Sequence, residues 1–151
     1  MVTVEQIKSL REETGISIAE CKKALESANG DMDVARVALG AASVKNAAKK
    51  AGRTLGAGVI GEYVHTGRTM AALVELDCET DFVARNEEFI RLASELAMQV
   101  AALEPADTTA LLEQPFIKDS SLTVAMVIKN TVQKFGERVE VSRFVRMSVG
   151  Q

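Results

Sequence analysis

The chain has 151 residues, of which 47% are apolar and 26% are charged, and its net charge is −3. These values are typical of one globular domain, or of a small module joined to a modest one, and they argue against a disordered or fibrous protein. With 4% aromatic residues and no tryptophan, the sequence argues against direct nucleic-acid binding, and no apolar run reaches the roughly 18 residues of a membrane-spanning helix.

The first forty residues predict a bundle of three short helices. Each helix begins at a residue suited to cap its free amide groups, and each ends at a glycine that tolerates a left-handed backbone. The predicted caps are Thr3, Ser17 and Asp31, and the predicted stops are Gly15, Gly30 and Gly40. We therefore place a first domain at residues 1–40.

Residues 41–56 are rich in alanine and lysine, which predicts a helical linker with little apolar face. Its cations admit two interpretations, a solvated helix face or a basic strip that meets a partner. These cations are Lys45, Lys49, Lys50 and Arg53. The sequence pattern alone leaves both interpretations open.

From residue 59 the apolar residues recur at every second position, which predicts strands over 59–66 and 69–78 joined as a hairpin. Asn86 then predicts the start of a long amphipathic helix. The apolar stripe of that helix comprises Phe89, Leu92, Ala93, Leu96, Val100 and Leu103.

The rest of the chain predicts an irregular stretch, a second helix and a final strand. Two prolines and several small polar residues favour loop structure over 105–121, the helix ends at Gly136, and 139–149 is rich in β-branched residues. The order β-β-α-α-β predicts an α+β domain at residues 57–151 with a small antiparallel three-stranded sheet. Because such a sheet has two uncovered edges, we expect self-association.

The densest polar cluster lies at residues 77–88. Its carboxylates have part of the spacing of a calcium-binding loop, but Phe82 stands where that loop requires glycine. Acid–base catalysis is a second possibility, yet no nucleophile, histidine or phosphate-binding loop lies nearby in sequence. We therefore expect no metal, no cofactor and no enzymatic activity.

Cysteine usage and the start of the chain bear on the compartment. Cys21 and Cys78 are far apart and lack the spacing of a zinc site, so we expect two buried thiols in a reducing compartment. The opening residues lack the basic and apolar segments of a signal peptide. Both features favour a cytoplasmic protein.

Three apolar residues leave a choice between core and interface. Phe82, at the junction of a strand and a helix, either folds back onto the core as a staple or stands out as an aromatic anchor for a partner. Ile16 and Ile18 flank the first turn of the bundle, and they either pack in its core or form a docking patch.

Several ungapped runs of this sequence resemble the translation elongation factor Ts family. The family's N-terminal signature is similar to Leu10-Arg11-Glu12-Glu13-Thr14-Gly15, Cys21-Lys22-Lys23-Ala24-Leu25 and Ala28-Asn29-Gly30-Asp31. Its linker resembles Lys49-Lys50-Ala51-Gly52, and its central signature resembles Glu75-Leu76-Asp77-Cys78-Glu79-Thr80-Asp81-Phe82-Val83-Ala84-Arg85-Asn86. The stretch before its last strand resembles Phe135-Gly136-Glu137-Arg138-Val139.

The resemblance implies a ubiquitin-associated-like bundle joined to an α+β dimerisation domain. It implies guanine-nucleotide exchange on elongation factor Tu during translation elongation. By motif position, the residues implied to contact that partner are Thr80, Asp81, Phe82 and Val83, with lesser contributions from Ile18, Ala19 and Lys50. In the family, the aromatic residue of this motif acts as a wedge that disturbs the magnesium and phosphate site of the partner.

Two departures from the family pattern affect these expectations. The family's Gly-Ala-Gly-Met-Met turn is Gly15-Ile16-Ser17-Ile18-Ala19 here, so the bundle offers less contact area. The chain has room for one of the two core halves that many members carry, which implies a homodimer. The residues alone leave two other functions open, a recruitment module built on the bundle and a small hydrolase or transferase using the acidic cluster.

Overall fold

The computed structural model describes residues 2–151, with residues 43, 44 and 46–48 described through their backbone alone. Within this part, seven helices and five strands follow one another along the chain. They are α1 (Val4–Thr14), α2 (Ile18–Ser27), α3 (Met32–Lys50), β1 (Ala57–Val64), β2 (Met70–Cys78), α4 (Asp81–Ala84), α5 (Glu87–Leu103), α6 (Thr108–Glu113), β3 (Pro115–Phe116), β4 (Asp119–Thr123), α7 (Val124–Phe135) and β5 (Glu140–Ser148). The predicted α+β class is confirmed.

The contacts divide the chain into two compact units. The first contains the chain as far as Gly52 together with Lys129–Gly136, and the second contains Arg53–Ile128 together with Glu137–Gln151. The domain boundaries placed after residues 40 and 56 stay predictions.

In the first unit, α1, α2 and α3 pack around a small apolar core. Its buried residues are Leu10, Ile16, Cys21, Ala24, Leu25, Ala35 and Leu39. The predicted caps are confirmed: Oγ1 of Thr3 accepts the Gln6 amide at 3.2 Å, and Ser17 and Asp31 accept amides in the first turns of α2 and α3. Gly15 has the left-handed φ of 68° that its predicted role as a helix stop requires.

The predicted helix stop at Gly40 is wrong, because α3 continues without interruption from Met32 to Lys50. Gly40 has no positive φ. A glycine inside a helix costs about 1 kcal/mol relative to alanine, and the helix-favouring residues on both sides outweigh that cost. The third bundle helix and most of the predicted linker helix are therefore one element, while residues 51–56 are not helical.

In the second unit, the sheet has the strand order β1-β2-β5 with antiparallel neighbours. The predicted hairpin is confirmed, and its register runs from Ala57 opposite Cys78 to Val64 opposite Ala71. Alternate residues of β2 are buried, namely Ala72, Val74, Leu76 and Cys78. These residues form the inner face of the sheet.

Helix α5 packs against β1 and β2 on this inner face. As predicted, Asn86 caps the helix, since its Oδ1 accepts the Glu88 amide at 2.9 Å. Gly61 of β1 lies directly against α5, because a Cβ at that position would overlap the backbone of Ala93. The predicted apolar stripe is buried except at Leu103, which is 46% exposed in the last turn.

The prediction of irregular structure at 105–121 is wrong, because this stretch contains α6 and the β3–β4 hairpin. Asp107 caps α6 by accepting the Ala110 amide at 2.7 Å. The buried side chain of Gln99 donates to the Pro115 carbonyl and accepts the Ile117 amide, both at 2.9 Å. These bonds come from a distant helix, so the local composition does not reveal them.

Candidate functional site

Phe82 lies on α4, a single helical turn between β2 and α5. Its side chain is 86% exposed, whereas the next two residues, Val83 and Ala84, are buried. Because α4 packs against β1, β2 and α5, these two residues fix the turn to the core. The interpretation of Phe82 as a staple is therefore wrong, and the ring projects from an anchored turn beside the exposed Asp81.

The carboxylate of Glu137 holds the residues just before this turn. Its Oε1 accepts the backbone amides of Glu79 at 3.1 Å and of Thr80 at 3.0 Å. Its Oε2 accepts the hydroxyl of Thr80 at 2.6 Å. Thr80 occupies the N-cap position of α4 without making a side-chain cap, because its hydroxyl donates to Glu137 instead.

Glu79 makes the reciprocal contact with the segment that carries Glu137. Its Oε2 accepts the Arg138 amide at 2.7 Å and lies 3.5 Å from Nη1 of Arg53. The Arg138 side chain in turn donates to the Arg53 carbonyl at 2.7 Å and to Glu140 at 2.6 Å. We call the hydrogen bonds accepted by the side chains of Glu137 and Glu79 the carboxylate clamp; the side-chain contacts of Arg138 lie outside it. It joins the β2–α4 connection to the α7–β5 connection.

Cys78 is buried directly beneath the clamp, and its Sγ donates to the Thr80 carbonyl at 3.3 Å. Burial raises the pKa of this thiol, and the negative charge of Glu137 raises it further. The thiol is therefore a weak nucleophile that contributes packing and one hydrogen bond to the turn. The prediction that Cys21 and Cys78 are buried free thiols is confirmed.

Two acidic residues of the 77–88 cluster are engaged by protein groups. Asp77 accepts the hydroxyl of Ser142, and Glu79 belongs to the carboxylate clamp. Among the described residues, no three His, Cys, Asp or Glu side chains gather in a way that could hold a metal ion. The helices of the described chain also include none long and apolar enough to cross a bilayer.

The other predicted site residues belong to the first unit, whereas residues 80–83 belong to the second. Ile18 opens α2 and is 55% exposed, and Ala19 beside it is exposed as well. Ile16 is buried in the bundle core, so the two isoleucines have different surroundings. Lys50 is the last residue of α3 and is half-buried.

The side of the sheet opposite α5 carries a second exposed apolar surface. Its side chains, which we call the outer sheet face, are Ile60, Val64, Leu73, Val145 and Met147. Leu73 lies opposite Val145 across the β2–β5 pair, and Arg143 pairs with Glu75 in the next position on the same face. Contiguous apolar patches on a protein surface mark contact sites.

The sequence did not predict Glu137 as a site residue, although Glu137 lies in one of the runs that resemble the family. Glu137 follows the glycine that ends α7 and precedes β5, which is an unremarkable position for a surface glutamate. Its partners lie 57 and 58 positions earlier in the chain. No local pattern predicts a contact over that distance.

Comparisons with known proteins agree with the resemblance seen in the motifs. The sequence profile of the family described as Elongation factor TS matches residues 79–151. Proteins named Elongation factor Ts are 38% identical in Desulforamulus reducens, over 99% of this chain and 90% of that protein, and 36% identical in Thermosipho melanesiensis, over the whole of both. The second alignment extends over 196 positions, so the Thermosipho protein contains internal residues that have no counterpart among the 151 residues here.

Proposed function

The chain belongs to the elongation factor Ts family, and we propose that it is a guanine-nucleotide exchange factor for elongation factor Tu in the cytoplasm. It binds the GDP form of that GTPase, disturbs the magnesium and phosphate site, and is displaced when GTP binds. Since binding alone drives this cycle, no covalent step is required and the chain is not an enzyme.

The observation that carries this proposal is the exposed ring of Phe82 on an anchored turn. A large aromatic side chain that is already held in place loses little conformational freedom on binding, and such side chains dominate protein interfaces. Thr80, Asp81 and Phe82 are exposed and available to a partner, whereas Val83 is buried and contributes by fixing α4 to the core. This arrangement supports the role of Phe82 as the wedge.

The size of the effect follows from thermodynamic linkage. A factor that binds the nucleotide-free GTPase more tightly than the GDP form weakens GDP binding by the same ratio. One well-placed aromatic contact contributes roughly 2–4 kcal/mol. At about 1.4 kcal/mol per tenfold change, the wedge weakens GDP binding by roughly 30-fold to 1,000-fold.

The bundle supplies a second, smaller contact in this proposal. Ile18 and Ala19 form an exposed apolar corner at the start of α2, and Lys50 places a cation at the end of α3. An exposed isoleucine next to an alanine offers modest apolar area. These residues therefore add binding affinity for the partner, whereas Phe82 causes the release of the nucleotide.

We also propose that the chain forms a homodimer through the outer sheet face. The five exposed apolar side chains of this face lie on strands whose other side is covered by α5. The proposed occupant is a second copy of the same face, because a two-fold related copy presents the same apolar side chains, while the charges of Arg143 and Glu75 are already paired within each protomer. Such packing forms a two-layer sandwich of sheets.

The test of the exchange function follows the release of fluorescent GDP from elongation factor Tu by stopped flow. The wild-type chain accelerates release. Phe82→Ala lowers the maximal release rate at saturating concentration by roughly 30-fold or more, because the wedge is removed while the exposed position tolerates alanine.

Ile117→Ala is the matched control, because Ile117 is also an exposed apolar residue but lies between β3 and β4. This variant should release GDP at the wild-type rate. Release by folded Phe82→Ala at the wild-type rate would refute the wedge, and absence of acceleration by the wild-type chain would refute the exchange function itself.

A further inference from the structure

We propose that Glu137 is a positioning residue that holds the Phe82 turn in its partner-binding conformation before any partner arrives. This inference rests on the proposed exchange function, since it concerns the same aromatic side chain. The geometry behind it is the set of three hydrogen bonds from Glu79 and Thr80 to one carboxylate.

The turn that carries Phe82 cannot hold its own conformation. Helix α4 has only four residues, and an isolated helix of that length does not form in water because nucleation is unfavourable. It also lacks the side-chain cap that normally stabilises a helix start. Its conformation therefore depends on tertiary contacts.

Two such contacts bracket the ring in sequence. On the C-terminal side, Val83 and Ala84 are buried in the core. On the N-terminal side, the carboxylate of Glu137 binds Glu79 and Thr80. Thr80 lies two positions before Phe82 in the chain. Hydrogen bonds to a charged acceptor are about twice as strong as bonds between neutral groups. The bonds to Glu137 therefore restrain this side more strongly than the neutral hydrogen bond from the Cys78 thiol to the Thr80 carbonyl.

The contacts of Glu137 within the described chain are directed at the turn rather than at a cation. Glu79 forms an ion pair with Arg53, and Glu140 forms one with Arg138. Glu137 instead accepts two backbone amides and one hydroxyl. Its carboxylate thus fixes backbone geometry, which is the property a positioning residue requires.

A positioning residue and a wedge leave different kinetic signatures. If the turn is only partly in the competent conformation, the apparent dissociation constant rises in inverse proportion to the competent fraction. Once bound, however, Phe82 still occupies its place and nucleotide still leaves at the same rate. Loss of Glu137 therefore raises the concentration for half-maximal exchange, whereas loss of Phe82 lowers the maximal rate.

The experiment measures GDP release from elongation factor Tu as a function of factor concentration for three variants. Glu137→Ala should raise the half-saturating concentration by about tenfold to a hundredfold, with the maximal rate within about twofold of wild type. Glu137→Gln retains one oxygen that can accept both amides, so its half-saturating concentration should stay within about threefold of wild type.

Glu140→Ala is the matched control, because Glu140 lies three positions away, pairs with Arg138 and makes no hydrogen bond to residues 79 and 80. It removes the same charge and should leave both kinetic parameters unchanged. An equal effect of Glu137→Ala and Glu140→Ala would overturn the positioning role, because it would point to charge alone. A loss in Glu137→Gln as large as in Glu137→Ala would overturn it as well.

Amide hydrogen exchange in the free protein tests the same inference without the partner. In Glu137→Ala, the amides of Glu79 and Thr80 should exchange at least about tenfold faster than in wild type. The Ala110 amide, which Asp107 accepts at the start of α6 and which lies outside the clamp, serves as the internal reference. Unchanged protection at residues 79 and 80 refutes the inference even if the wild-type chain and Phe82→Ala behave as the exchange function requires.

Discussion

Replacing Gly61 with alanine should destabilise the second unit, because α5 crosses β1 at this glycine. An added Cβ would overlap the backbone of Ala93 and Ser94, and backbone atoms cannot rotate aside as a side chain can. Overpacking of this kind costs about 3 kcal/mol, at the upper end of its usual range. For a unit of roughly 90 residues, that corresponds to a fall in its melting temperature of about 12–24 °C.

The assay is urea and thermal unfolding followed by tyrosine fluorescence. Tyr63 is the single tyrosine of the sequence, tryptophan is absent, and β1 carries this residue in the second unit. The fluorescence signal therefore reports unfolding of the second unit by itself.

Gly67→Ala is the matched control, since the nearest atom to a Cβ there is Oγ1 of Thr69 at 3.8 Å, an ordinary contact distance. Its stability should stay within about 1 kcal/mol of wild type. A melting temperature for Gly61→Ala equal to that of Gly67→Ala would refute the close approach of α5 to β1.

Three further outcomes are expected. Leu73→Asp places a charge on the outer sheet face and should convert a dimer to a monomer in sedimentation velocity, and a wild-type monomer at micromolar concentration would contradict the proposed dimer. The hydrogen bond from Arg36 lowers the pKa of Glu13, so this contact stabilises the fold above the ordinary glutamate pKa of about 4.3, and the stabilisation disappears as the pH falls through the lowered value. Urea unfolding followed by helical circular dichroism should therefore find Glu13→Gln less stable than wild type at neutral pH and equal to it at pH values well below the lowered pKa. Finally, Glu137→Gln removes a negative charge that raises the pKa of Cys78, so the Cys78 pKa measured by carbon NMR should be lower in this variant, and an unchanged value would place the carboxylate away from the thiol.

Local sequence patterns predicted the elements that local interactions determine. Thr3, Ser17 and Asn86 cap helices as predicted because a cap involves only residues two or three positions apart. The hairpin of β1 and β2 was predicted for a similar reason, since it joins neighbouring alternating segments through a short turn.

The errors arose where the surrounding sequence or tertiary contacts outweigh the preference of a single residue or a short segment. Gly40 has the composition of a helix stop, yet its neighbours keep it helical. Residues 105–121 have the composition of a loop, yet Gln99 and Asp107 organise them. The local sequence pattern also could not predict that Phe82 is exposed. The burial of Val83 and Ala84 decides which side of α4 faces the core.

The carboxylate clamp has a consequence for when a newly synthesised chain becomes able to bind. Glu79 and Thr80 leave the ribosome 57 or 58 residues before Glu137, with four helices and two strands formed by the residues between them. During this interval the aromatic turn lacks its polar restraint, since domains complete their long-range contacts only after the later segments emerge. By the proposed role of Glu137, nascent chains that end before residue 137 are therefore poor competitors for the GTPase, and competence to bind appears only after that residue has emerged.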